Sequence, residues 1–238
     1  MTTNTIEGFR EIWLVDFEFG CENGGTPDPV CLVAKKLGSE VTFRLWEDEI
    51  KMLKSPPYDI GSDSLFVAYY ASAEMGCHLT LDWPLPTYVL DLFVEFRNLT
   101  NGRTLPSGAG LLGALVYFGL PTITSENKDE MRDLALRGGP WSIEEQRNLL
   151  EYCETDVDAL EFLLSKMECF IDLPRALLRG RYMKAAAKIE HTGIPIDTTA
   201  HELFKDNWES IQENLISEID SNFGVYEGRT FKRDRFET

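Results

Sequence analysis

Histidine is scarce in this chain: 238 residues hold only His78, His191 and His201. None of them stands beside a paired acidic motif, so a metal ion near such a motif would take oxygen ligands, which favours magnesium or manganese over zinc. Cysteine is no richer in meaning. Cys21, Cys31, Cys77, Cys153 and Cys169 are odd in number and widely scattered, which argues against a disulfide framework and against structural zinc. Long apolar runs are missing too. The longest, Leu111 to Leu120, has a glycine inside it and is far too short for a bilayer, and no apolar stretch follows a basic start. The expectation is a soluble, cytoplasmic protein with no membrane partner. Positive charge is also in short supply, with 23 Lys and Arg against 40 Asp and Glu and a net charge of −17. Tight, sequence-independent duplex binding comes largely from cations on phosphates, so that is excluded as the main task. An enzyme handling a few terminal nucleotides through bound cations is not.

With 43% hydrophobic residues, the chain can bury a core as one large domain or one domain plus an appendage. Its most informative stretch is Ile12 to Gly20, which reads as a buried strand yet carries Asp16 and Glu18 two apart. Period-2 alternation puts both carboxylates on one sheet face. Two ionised carboxylates among apolar residues repel and lose hydration. They call for a divalent cation, unless this is an edge strand with a solvated acidic face. A turn-rich loop from Glu22 to Pro29 should follow, then short strands at Val30 to Lys35 and Val41 to Leu45. After a polar stretch, Leu65 to Tyr70 reads as another strand, with Ser72 capping a helix behind it. Glu74 falls in that helix's first turn, where the dipole favours a carboxylate. Tyr88 to Leu90 forms a further strand that delivers Asp91, either a ligand or a helix cap. Gly108 to Gly113 has the spacing of a dinucleotide fingerprint, but no strand precedes it, so a closely packed small-residue helix is the better reading.

A helix is expected over Ser125 to Arg137, ended by Gly138-Gly139-Pro140. Ser142 with Glu145 three residues on opens a long helix running to about Met167. Tyr152 and Asp156, four apart, share one of its faces, while Asp158 faces elsewhere. Leu173-Pro174 marks a boundary, dividing the chain into residues 1–174 and a helical extension over 175–238. Arg175, Arg179, Arg181, Lys184 and Lys188 cluster on the next helix, either as a strip for a polynucleotide backbone or as ordinary helix solvation. Thr198 to Ile219 is amphipathic, with Phe204, Trp208, Ile211, Leu215 and Ile219 forming a stripe that should bury. Gly224 to Thr238 should fray.

Taken together, Asp16 and Glu18 on a strand, Glu74 at a strand-to-helix junction and Tyr152 with Asp156 on a helix resemble the DEDD superfamily of 3′–5′ exonucleases. The subclass is the one whose third motif is tyrosine, three residues, aspartate (DEDDy). Val15-Asp16-Phe17-Glu18 matches the first motif and Tyr152-Cys153-Glu154-Thr155-Asp156 the third. The second departs, because Val67 to Glu74 offers glutamate where the family places aspartate, and Asp91 is the alternative fourth acid. The resemblance implies a ribonuclease H-like α/β fold with a mixed sheet flanked by helices. It also implies two divalent ions, magnesium or manganese, one held by Asp16, Glu18 and Asp156 and the other by Asp16 and Glu74. Tyr152 would orient the attacking water, and Phe19 would stack on the terminal base of a single-stranded DNA 3′ end. RNA is the rival substrate, and a catalytically weak binding or assembly module is the rival class. Farther on, Arg179-Gly180-Arg181-Tyr182 through Asp197 resembles the segment that joins the exonuclease domain to the polymerase body in phage-type family A DNA polymerases. No polymerase body follows, so a truncated product, a stand-alone nuclease or a fragment is expected. The 198–219 helix would then serve a polymerase module or self-association.

Overall fold

The computed structural model describes residues 6, 8–21, 25–121 and 125–237; residues 22–24 of the expected loop lie outside them. β1 (Glu11–Gly20), β2 (Asp28–Lys36) and β3 (Thr42–Trp46) form an antiparallel meander, and the short α1 (Glu47–Met52) follows. β4 (Ser64–Ala68) then pairs parallel to β1, α2 (Ser72–Thr80) follows it, and β5 (Tyr88–Asp91) pairs parallel to β4. The sheet order is β3-β2-β1-β4-β5. β1 therefore lies where the antiparallel and parallel halves meet. Next come α3 (Leu92–Leu99), α4 (Leu111–Tyr117), α5 (Ser125–Arg137), α6 (Ile143–Met167) and α7 (Leu173–Thr192). This mixed five-stranded sheet flanked by helices is a ribonuclease H-like α/β fold.

Alternation along β1 splits the core in two. Ile12 and Leu14 face one side, with Val33, Leu65, Val67 and Leu90, and pack against Leu149, Val157, Leu160 and Leu163 of α6. Trp13, Val15 and Phe17 face the other, with Phe66, Met75 and Trp83. α6 starts at the expected capping box: Glu145 N–H donates to Ser142 Oγ (3.2 Å), and Ser142 N–H donates to the Glu145 carboxylate (2.7 Å). Its outer side is tied to the meander by Lys35, which reaches Asp158 and Glu161 at 2.8 Å each. Asp158 is thus used for docking, away from the Tyr152–Asp156 face.

α7 belongs to this unit as well. Gly180 is buried against β5, and a Cβ built there would lie 1.8 Å from the Val89 carbonyl oxygen. Arg179 makes a two-pronged bond at 2.6 Å per arm to Glu95, which is only 4% exposed, the fork geometry that suits guanidinium to carboxylate. Lys184 Nζ donates to the carbonyls of Pro86 (2.7 Å) and Thr87 (2.8 Å). Two of the five clustered cations therefore hold the helix to the domain, and Arg175 pairs with Asp172. The compact unit runs Met1–Gly193, past the expected boundary at residue 174, and a second unit spans Ile194–Thr238. The proline after Leu173 sits in the first turn of α7, where it starts a helix rather than ending a domain.

In the second unit, α8 (Thr198–Asp220) is capped by Asp197. The stripe expected to bury is exposed: Phe204, Trp208, Leu215 and Ile219 are each more than half open. Periodicity marks an apolar face without saying what covers it. The expected fray is also corrected. β6 (Tyr226–Glu227) and β7 (Thr230–Phe231) make a hairpin, followed by α9 (Arg233–Phe236). The Asp220 carboxylate accepts from Val225 N–H (2.6 Å) and Tyr226 N–H (3.0 Å), and the Phe231 ring meets Tyr226 edge-on and Phe236 at a tilt.

The contact at Gly180 yields a direct test. Gly180→Ala should destabilise the chain by about 3 kcal/mol, because backbone must move to admit the methyl group. Thermal melting followed by circular dichroism measures this, and an unchanged melting temperature would refute the seating of α7 on β5.

Candidate active site

The acidic site forms where β1 outruns its parallel neighbour. β4 pairs with β1 only as far as Leu14 opposite Val67, so Asp16 and Glu18, next in the Ile12–Leu14 row, open onto the crevice beyond the carboxyl end of β4. Open α/β sheets place their ligands in such crevices. α6 crosses the same face and brings Asp156, 8% exposed, and Tyr152, 9% exposed. One carboxylate oxygen each from Asp16, Glu18 and Asp156 lies within 4.8 Å of the others. Asp156, far along the chain from the other two, shares their small volume. They line a cavity of about 480 Å³ together with Glu74 and Tyr152.

Glu74 and Asp91 settle into different roles. Asp91 Oδ1 accepts from the backbone N–H groups of Tyr70 (3.0 Å), Phe93 (2.9 Å) and Val94 (3.3 Å), and Oδ2 accepts from Ala71 (2.9 Å). It caps α3 and anchors the turn ahead of α2, and it does not line the cavity. Ser72 is not the cap of α2: it is the first helical residue, Ala71 precedes it without a side-chain cap bond, and Asp91 supplies acceptors from the next strand. Glu74 lines the cavity, outside the set of three oxygens, with Oε2 buried and lacking a hydrogen-bond partner. Burial, then the charges of Asp16 and Asp91, push its carboxyl well above the ordinary range.

Tyr152 also stays protonated. Burial and the negative charge of Asp156 raise its phenol beyond the usual range, so it can donate and orient but does not serve as a base at neutral pH. Beneath the acids, Cys153 donates its S–H to Asp16 Oδ2 at 3.3 Å. Phe17 is core, 3% exposed. Phe19 reaches the cavity because the β1–β2 register shifts between Glu18 and Phe19, and such an irregularity re-aims a side chain.

Sequence reading passed over two residues here. Tyr70, half exposed, has a φ of 74° and packs edge-on against Phe93 with ring centroids 5.2 Å apart. Positive φ in an aromatic residue is strained backbone, and the Asp91 carboxylate holds it. The sequence signal was an aromatic pair between strand and helix. Arg132 is the one cation among the described residues lining the cavity. Its signal was weak, one of two arginines in a helix of mixed charge. Phe19, Tyr70 and Ala73 also line a second cavity of about 210 Å³, so they form a wall between the two.

The residues present fit hard divalent cations. The donor set is all oxygen, three carboxylates are crowded together, and a fourth offers a buried oxygen that nothing else uses. No family model matches the chain, and no curated protein matches it. Among solved structures, the exonuclease (EXO) domain of Nibbler from Aedes aegypti is similar, with a TM-score of 0.42 and 12% identity over 74% of this chain and 87% of that one. A likeness that loose carries no functional argument. The chemistry rests on the site itself. Among the described residues, no helix is long and apolar enough to cross a membrane.

Glu74 gives a pH test in the absence of metal. Its carboxyl is raised on folding, so its contribution is complete below its ordinary pKa of 4.5. As pH climbs from there, the unfolded chain releases the proton while the folded chain retains it, and stability falls. Glu74→Gln should remove that decline and melt higher than the wild type at neutral pH in EDTA. An equal or lower melting temperature would contradict the burial of an uncompensated carboxyl.

Proposed function

We propose that this chain is a metal-dependent 3′–5′ exonuclease that hydrolyses the terminal phosphodiester of single-stranded or frayed DNA. The observation that carries this reading is the convergence of Asp16, Glu18 and Asp156 to within 4.8 Å, with Tyr152 beside Asp156 and Glu74 in the same cavity. Asp16, Glu18 and Asp156 would hold one divalent cation, magnesium or manganese, and Asp16 with Glu74 a second; bound there, such ions lower the pKa of a water and stabilise a leaving 3′-oxygen.

The chain's own groups account for the rest. Tyr152, kept as a phenol, holds the attacking water in line without removing its proton. Arg132 meets a non-bridging phosphate oxygen and offsets charge that the acids would otherwise repel. Phe19 and Tyr70 supply ring faces for the terminal base, a sequence-tolerant way to hold a single strand. An overall charge of −17 discourages long contacts with polyanions and suits release after each cut. Arg179 and Lys184 of α7 add nothing to that contact, since both are already engaged within the fold.

The test is degradation of 5′-labelled single-stranded DNA and RNA of one sequence in magnesium or manganese. Stepwise shortening from the 3′ end of DNA is expected, and preference for RNA would move the substrate to the rival polynucleotide. Asp156→Ala should lower the rate by about 10²–10³-fold, the loss typical when a positioned electrostatic group is removed. Tyr152→Phe should lower it by about 10²-fold with little change in KM, since it acts on the water. No cleavage with either ion would favour a binding module and sink the enzyme reading.

A further inference from the structure

Cys153 lies inside the Tyr152–Asp156 segment, yet the chemistry above gives it no task. It is 0% exposed, and its Sγ lies 3.3 Å from both the backbone oxygen and the Oδ2 of Asp16. Cys31 of β2, also buried, stands opposite Glu18 in the strand register. We propose that Cys153 is a positioning residue: its thiol donates from α6 to the Asp16 carboxylate on β1, fixes that side chain toward Glu18 and Asp156, and thereby sets how tightly the acids hold a divalent cation. This rests on the reading of the acids as a metal site.

The physical case has three parts. Asp16 is half-buried on the strand, and of its two carboxylate oxygens the thiol takes Oδ2. A partner that binds one oxygen limits rotation of the carboxylate, as hydrogen bonds to ligating carboxylates do in metal sites generally. A thiol is a weak donor, so it orients the carboxylate without competing strongly with a cation for its charge. The donor also sits on the helix that carries Asp156. Packing of α6 against β1 therefore transmits directly into the relative placement of two ligands, through a contact that survives only if both elements are in register.

The experiment uses the full chain and measures manganese binding directly, by water-proton relaxation, alongside nuclease rate and metal-free melting temperature. Cys153→Ala removes the donor, Cys153→Val removes it while filling the space, and Cys153→Ser restores one. Both donor-free variants should bind manganese about tenfold more weakly, the low end of the effect of losing such an outer partner. Their rates should recover at saturating manganese, and Cys153→Ser should bind within about twofold of wild type. Wild-type affinity in Cys153→Ala or Cys153→Val overturns the positioning role and leaves the exonuclease reading intact. Equal weakening in the Ser variant overturns it too, because packing rather than the donor would then be responsible. Absence of manganese binding to the wild type overturns both.

Discussion

Three carboxylates held with oxygens within 4.8 Å of one another are a standing electrostatic cost, and the site depends on how the fold meets it. Unit charges about 4 Å apart at an effective dielectric of about 20 interact by about 4 kcal/mol, so the cluster would spread if its supports were soft. They are not soft. Asp16 and Glu18 extend a strand whose inward row continues into Ile12 and Leu14, and Asp156 extends a helix row with Leu149, Val157 and Leu160. Each such side chain contributes about 1.5–3 kcal/mol on burial, so shifting either element to separate the acids would pull core side chains out of their packing. The acids stay close because their neighbours along both elements are core.

The crevice exists because β1 is longer than the parallel pairing it receives from β4. Where β4 turns into α2, the backbone takes a strained bend at Tyr70, held by Asp91 from the adjacent strand. That bend points the first turn of α2 at the acids and delivers Glu74. Two acids of similar promise thus diverge by their donors: Asp91 has four backbone N–H groups, whereas one oxygen of Glu74 has no partner. The satisfied carboxylate supports the fold, and the unsatisfied one is free to respond to a cation.

α7 shows how a local reading goes astray. Its arginines and lysines look like a strip for phosphates, but a two-pronged bond to Glu95 and a pair of carbonyls take Arg179 and Lys184 out of that role. Gly180 tells the same story, since its missing side chain is what lets the helix touch β5. The domain consequently ends near Gly193 and not at Pro174.

Much of the architecture was legible in the sequence because its signals are local and periodic. Alternation placed Asp16 and Glu18 on one face, a four-residue step placed Tyr152 over Asp156, and the serine–glutamate pair marked the start of α6. Those follow from backbone geometry, which each segment carries within itself. What the chain alone left open was every matter of contact across distance: whether Glu74 or Asp91 faces the acids, that Tyr70 and Arg132 line their cavity, that Cys153 lies beneath Asp16, and that the α8 stripe stays exposed. Such outcomes depend on which partner reaches a given group first in three dimensions, and a donor or a methyl group twenty or a hundred residues away leaves no imprint on the local pattern.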